Sequence, residues 1–267
     1  MKTKVNGYAV VTGASAGIGA SYAEHLAQRG YDLILIARRA DRLNSLAADI
    51  TKNTGRKVET IAADLANRAD LQRVEELLRI DARVSLLVNS AGLAAVTPLL
   101  DSKVDEMSQM VTLNIDTLVR LTYAVAPSFV KRGNGTIINI ASAVSIGPEQ
   151  LNGVYGGTKA FVLAFSQSLK HELADKGVRV QAVLPGATAT DIWANAGLPV
   201  ENLPKEMVMS TDAMVEAALV GLDLGEFMTS PSLPDIAEWD AFETARIALA
   251  GKLSRAEPAQ RYHKTTA

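Results

Sequence analysis

The sequence contains no cysteine and only three histidines. The first absence excludes disulfides, thiolate nucleophiles and thiolate metal sites. His25, His171 and His263 are too widely separated for metal-ligand spacing, so no metal is expected. No apolar run approaches the roughly 20 residues that span a bilayer. The start, Met1 to Asn6 followed by Tyr8-Ala9-Val10-Val11, lacks the apolar region and cleavage site of a secretory leader. There is also no block of like charge, and a formal net charge of -2 leaves neither a nucleic-acid footprint nor an acidic tail. These exclusions point to a cytoplasmic protein whose partners are small molecules and other copies of itself, with no nucleic acid and no membrane. Asn134-Gly135-Thr136 matches a glycosylation triplet, but in such a chain it reads as a turn.

What is present is a repeating rhythm. With 267 residues, 48% of them hydrophobic, the chain can bury one sizeable core, and one domain with a tail is expected. Short apolar runs at Val10-Val11, Leu33 to Ala37, Val58 to Ala62, Leu86 to Val88, Ile137 to Ile140 and Val178 to Leu184 read as strands buried on both faces. The stretches between them read as crossover helices. In the first, Ile18, Tyr22 and Leu26 make one apolar stripe, and Gly30 stands where a left-handed cap belongs. This is the pattern of an α/β, doubly wound parallel sheet, whose ligand crevice lies beyond the carboxyl ends of the strands. After about residue 190 the rhythm breaks. A mixed segment near 191–210 reads as a lid, Asp212 to Leu224 as a helix, Glu226 to Ser230 as a last short strand, and Ile236 to Leu249 as a tail helix. The expected division is a domain at 1–232 and a helical tail at 233–267.

The turn after the first strand, Thr12-Gly13-Ala14-Ser15-Ala16-Gly17-Ile18-Gly19, offers backbone N–H groups and a positive helix end to a pyrophosphate. Glycine permits that approach. The second strand ends in Ala37-Arg38-Arg39, with no acid before Asp41. An acid there would bind a ribose 2′-hydroxyl, whereas a guanidinium suits a 2′-phosphate. NADP(H) is therefore expected over NAD(H). Further along, Tyr155-Gly156-Gly157-Thr158-Lys159 sets a phenol and an ammonium four residues apart, on one face of a helix. A nearby cation lowers a phenol pKa by roughly 1 to 3 units, which suits Tyr155 to proton transfer near neutral pH.

These motifs resemble the compact branch of the short-chain dehydrogenase/reductase family, with its T-G-x-x-x-G-x-G turn and Y-x-x-x-K pair. The resemblance implies a Rossmann-like single domain with a short C-terminal helical extension, and hydride transfer between nicotinamide and a ketone, aldehyde or alcohol. It implies a catalytic set of Asn114, Ser142, Tyr155 and Lys159. Ser142 would polarise the carbonyl, Tyr155 would exchange the proton, Lys159 would hold the nicotinamide ribose, and Asn114 would hold a water linking Lys159 to solvent. The cofactor-binding positions it implies are Gly13, Ser15, Gly17, Ile18 and Gly19 of the turn, Arg38 and Arg39, Asp64 and Leu65, and Asn89, Ala91 and Gly92. Tyr155, Lys159, Pro185, Gly186, Thr188 and Thr190 complete them. Ser90 and Thr188 stand where the family has Asn and Val. Taken alone, Asp64 reads as a helix N-cap. A homodimer or homotetramer is implied as well. Gly156 and Gly157 would weaken a helix; either they permit a close contact or the helix starts there. Leu93, Val96, Ile146, Leu151, Ile192 and Trp193, with few polar groups such as Glu149, Gln150 and Asn152, suggest a mainly apolar substrate. The alternative to an enzyme is a catalytically silent NADP(H)-binding sensor of the same fold. An epimerase or dehydratase is disfavoured by the glycine spacing.

Overall fold

The computed structural model describes residues 6–263. Residues 1–5 of the chain start and 264–267 of the expected tail lie outside them. Seven strands, β1 (Tyr8–Thr12), β2 (Asp32–Ala37), β3 (Val58–Ala62), β4 (Val84–Asn89), β5 (Gly135–Ile140), β6 (Val178–Val183) and β7 (Met228–Thr229), form one sheet. Its order is β3-β2-β1-β4-β5-β6-β7 and every pairing is parallel.

The unbroken apolar runs have a simple cause. Successive side chains of a strand point to opposite faces, and here both faces are covered. Ala9 and Val11 of β1, with Leu33 and Leu35 of β2, enter one core beneath α1 (Gly17–Gln28), α2 (Ala40–Thr54) and α8 (Thr211–Leu224). Val10, Ile34 and Ile36 enter the other, beneath α3 (Arg68–Ile80), α5 (Thr117–Arg132) and α6 (Gly153–Leu173). The remaining helices are α4 (Val104–Val111), the short α7 (Ile192–Asn195) and α9 (Ile236–Ala250).

Two features differ from expectation. The stretch between β4 and β5, read as a crossover helix, is interrupted by a π-helical segment, Thr112–Asp116, between α4 and α5. The last strand is only Met228–Thr229. The chain divides between Pro231 and Ser232 into two compact units. In the second, Asp235 caps α9 by accepting from the Ala237 N–H at 2.9 Å, and the rings of Trp239 and Phe242 pack 5.4 Å apart. No residue of α9 is buried. Among the described residues no helix is long and apolar enough to cross a membrane.

From β1 the chain winds outward to β2 and β3, and from β4 outward to β7. The β1–β4 boundary is thus the switch point at which open α/β sheets bind ligands. Phe129 of α5, fully buried, anchors the second core. Phe129→Ala is expected to lower unfolding free energy by about 3–5 kcal/mol, measured by urea denaturation.

Candidate active site

Beyond the carboxyl ends of β1, β4, β5 and β6 lies a cavity of about 560 Å³. Gly13, Ala16, Gly17, Ile18 and Gly19 line one end with Arg38 and Arg39. Ser142, Tyr155 and Lys159 line the middle, and Pro185, Gly186, Thr188 and Thr190 a side. Leu93, Val96, Leu151, Ile192, Trp193, Leu198, Leu203 and Met207 give it an apolar mouth.

The glycine turn is held close to β4. The Thr12 hydroxyl accepts from the N–H groups of Ser90 and Ala91, both at 3.0 Å, and donates to the Val88 carbonyl at 3.3 Å. Gly13, at φ +68°, fits this junction because a Cβ would lie 2.9 Å from the Ala91 Cα. Gly17, at φ +55°, leaves room for Thr190, whose Cγ2 would be 2.9 Å from such a Cβ. The α1 helix begins after Ala16 with no side-chain cap. Its first N–H groups therefore lack a side-chain acceptor, and the residues that carry them, Gly17, Ile18 and Gly19, line the same cavity as Arg38 and Arg39. Arg39 donates to the Ser15 hydroxyl at 3.3 Å. Arg38 is exposed and has no ion-pair or hydrogen-bond partner among the described residues. Orphan donors, a cradle too tight for a Cβ and an uncommitted guanidinium fit a dinucleotide with an added phosphate.

Tyr155 and Lys159 lie in the first turns of α6. The helix starts where Asn152 accepts from the N–H groups of Val154 at 2.9 Å and Tyr155 at 3.3 Å. Lys159 is 8% exposed; its Nζ donates to the Ile140 carbonyl at 2.8 Å and lies 5.9 Å from the centre of the Tyr155 ring. Burial lowers its pKa to about 8. Tyr155 is buried as well, and its pKa moves up from the usual phenol value. Desolvation dominates there, against a smaller lowering by a hydrogen bond with Ser142. The expected lowering by Lys159 is thus corrected: an ammonium bonded to a carbonyl and set off from the ring does not offset the loss of water around the phenol.

Asn114 is 3% exposed and its amide is committed to protein partners. Its Oδ1 accepts from the Leu93 N–H at 2.8 Å, while Nδ2 donates to the Leu93 carbonyl at 2.9 Å and to the Thr158 hydroxyl at 3.0 Å. Thr158 in turn donates to the Tyr155 carbonyl at 2.8 Å. The π-helical segment is thereby tied to the helix carrying Tyr155 and Lys159.

Ser15, Asp64, Leu65, Asn89 and Asn114 are not among the lining residues. Asp64 turns onto the Ala66 N–H at 3.0 Å, and the cap of α3 is Asn67, not Asp64. Leu65 packs in the second core. The Asn89 Nδ2 points into the interior, donating to Asn139 of β5 at 2.9 Å and to Thr122 of α5 at 3.3 Å. Ile146 and Glu149 also stand apart from the lining, and Asn152 is a cap. Thr12 and Thr158 were missed as positioning residues. Their neighbours in sequence, the glycine turn and Lys159, were the available signal.

The family described as "short chain dehydrogenase" matches residues 7–200. A short-chain dehydrogenase from Sphingobium yanoikuyae, solved in complex with NADPH, is 47% identical, with a TM-score of 0.93 over 96% of this chain and all (100%) of that one. The chain belongs to the short-chain dehydrogenase family. A bulky-bulky ketone specific alcohol dehydrogenase from Comamonas testosteroni is 39% identical, with a TM-score of 0.89 over 97% of this chain and 99% of that one. The very-long-chain 3-oxoacyl-CoA reductase of Bos taurus is 36% identical over 189 residues, which cover 69% of this chain and 60% of the bovine protein.

Within this short-chain dehydrogenase, the paired glycines after Tyr155 have different surroundings. A Cβ on Gly156 would meet the Pro148 carbonyl oxygen at 2.6 Å, whereas one on Gly157 would meet nothing within 4 Å. The first glycine permits a close contact and the second does not require it. In urea denaturation, Gly156→Ala is expected to destabilise by about 1–3 kcal/mol, and Gly157→Ala to stabilise by about 1 kcal/mol.

Proposed function

We propose that this protein is an NADP(H)-dependent oxidoreductase interconverting a ketone or aldehyde and an alcohol, with Tyr155 as general acid and base. The observation that carries the proposal is that Ser142, Tyr155, Lys159, Arg38, Arg39 and the uncapped glycine turn all line one cavity. NADP(H), when bound, supplies or accepts the hydride. The turn from Gly13 to Gly19 would hold its pyrophosphate, Arg38 and Arg39 its 2′-phosphate, and Lys159 its nicotinamide ribose. Ala91, Gly92, Pro185, Gly186, Thr188 and Thr190 would border the rest. The NADPH complex of the Sphingobium relative supports this assignment. Ser15, Asp64, Leu65, Asn89 and Asn114 would act by shaping these segments.

For reduction, the chemistry asks for a donor that is still protonated at working pH. A phenol whose pKa is raised by burial meets that need, and Ser142 supplies a second donor to the carbonyl oxygen where charge develops. Lys159, cationic below about pH 8, adds a positive charge to the same enclosure. The apolar mouth favours an apolar ketone or secondary alcohol, in line with the bulky-bulky ketone specificity of the Comamonas relative. We assign oxidoreductase work to 1–232, with 191–210 as its lid, and leave 233–267 as a helical tail. Exposed Tyr123 and Phe161 on α5 and α6 suit a homodimer or homotetramer.

Tyr155→Phe is expected to lower kcat for ketone reduction by about 10²–10⁴-fold, in a spectrophotometric assay of NADPH loss, with NADPH still bound. Arg38→Asp is expected to raise KM for NADPH by roughly 10–150-fold, the loss of charge-assisted hydrogen bonds worth about 1.5–3 kcal/mol, and to leave KM for NADH unchanged or lower. An unchanged preference would refute the phosphate assignment. The lowered Lys159 pKa has a definite sign: its cation is complete below that value and lost above it. Reductive kcat/KM is therefore expected to be level at lower pH and to fall as pH rises through about 8. A profile level to pH 10, measured with an enzyme stable there, would show that the Lys159 charge is not required.

A further inference from the structure

Among the described residues lining the cavity, Asp191 is the only acid, beside the cations Arg38, Arg39 and Lys159. A bare carboxylate there would repel an anionic cofactor. Asp191 directly precedes α7, and aspartate is a favoured cap, yet its carboxylate makes no cap hydrogen bond. Its Oδ2 lies instead 3.5 Å from Nη1 of Arg42, with half or more of each side chain exposed. Arg42 belongs to the first turn of α2, whose extended N-cap is Arg39, and it reaches the edge of the cavity through its pairing with Asp191, itself a lining residue. The pair thus links the arginine-bearing start of α2 to the first residue of the lid segment.

We propose that Arg42 is a third phosphate-reading guanidinium and that Asp191 is its exchangeable counter-ion. Exposed ion pairs are weakly held, so a phosphate dianion at Arg38 and Arg39 displaces Asp191 from Arg42. The start of the lid is then released by a phosphate-bearing cofactor and not by its dephospho counterpart. Trp193 reports on this position, two residues beyond Asp191, with its indole N–H donating to the Thr188 carbonyl at 2.9 Å. The inference rests on the NADP(H) assignment above.

The test uses the full chain carrying Trp239→Phe, which leaves Trp193 as the sole tryptophan of the two, with adenosine 2′,5′-bisphosphate and AMP as probes. Neither probe carries a nicotinamide. The bisphosphate is expected to shift Trp193 emission at saturation, and AMP is not. By calorimetry, Asp191→Asn is expected to bind the bisphosphate about two- to fivefold more tightly and Arg42→Gln about two- to fivefold more weakly, with AMP affinity unchanged in both. Asp191→Asn should also begin at the shifted emission. If the wild type prefers the bisphosphate and Arg38→Asp abolishes that preference, but Asp191→Asn alters both nucleotides equally or neither, the exchange is overturned and the phosphate assignment stands. An unchanged emission at saturating bisphosphate overturns the exchange in the same way. If the wild type binds both probes equally, the phosphate assignment fails and the exchange falls with it.

Discussion

A buried ammonium is hard to keep, and the centre of this protein is arranged around one. Among the described residues Lys159 has a single carbonyl, that of Ile140, as its acceptor, and burial accordingly weakens its hold on the proton. Everything that fixes its depth also fixes Tyr155. Asn152 sets where α6 begins, Gly156 lets the Pro148 loop approach, and Ser145 donates to the Lys159 carbonyl at 2.8 Å. The phenol and the ammonium are thus shifted in opposite directions by the same desolvation, each toward its neutral form.

The sheet supplies the enclosure. At the β1–β4 boundary the Thr12 hydroxyl ties the turn after β4 to the glycine turn, so these two loops on the cavity wall are one packed unit. Asn114 performs the corresponding service on the other side. Its amide joins Leu93, on the cavity wall, to Thr158, beside Lys159, and the π-helical segment carries it there. A π-type irregularity in an otherwise helical stretch is a familiar mark of functional constraint.

Much of this was legible in the sequence because it depends on residue type and short spacing. Buried parallel strands need apolar side chains on both faces, so Leu33 to Ala37 could hardly be anything else. The glycine turn and the four-residue step from Tyr155 to Lys159 are equally local. Depth is not local. Nothing in Tyr155-Gly156-Gly157-Thr158-Lys159 tells how far water is excluded, and it is that exclusion which sets the upward direction of the Tyr155 shift. The π-helical segment was hidden because a change in backbone hydrogen-bond register leaves no compositional trace at Thr112–Asp116. Asn89 and Leu65 sit at the positions expected of them in the chain, but their side chains turn into the interior, which only packing reveals.

In the proposed function the enclosed phenol and ammonium are parts of a hydride-transfer catalyst rather than of a passive nucleotide receptor. The most direct measurement follows deuterium from [4,4-²H₂]NADPH, labelled at both C4 positions, during incubation with a panel of apolar ketones, by mass spectrometry of the recovered alcohols. Deuterium is expected at the carbinol carbon, in step with oxidation of the nucleotide. Saturable NADPH binding with no labelled alcohol from any ketone of the panel would contradict the proposed function.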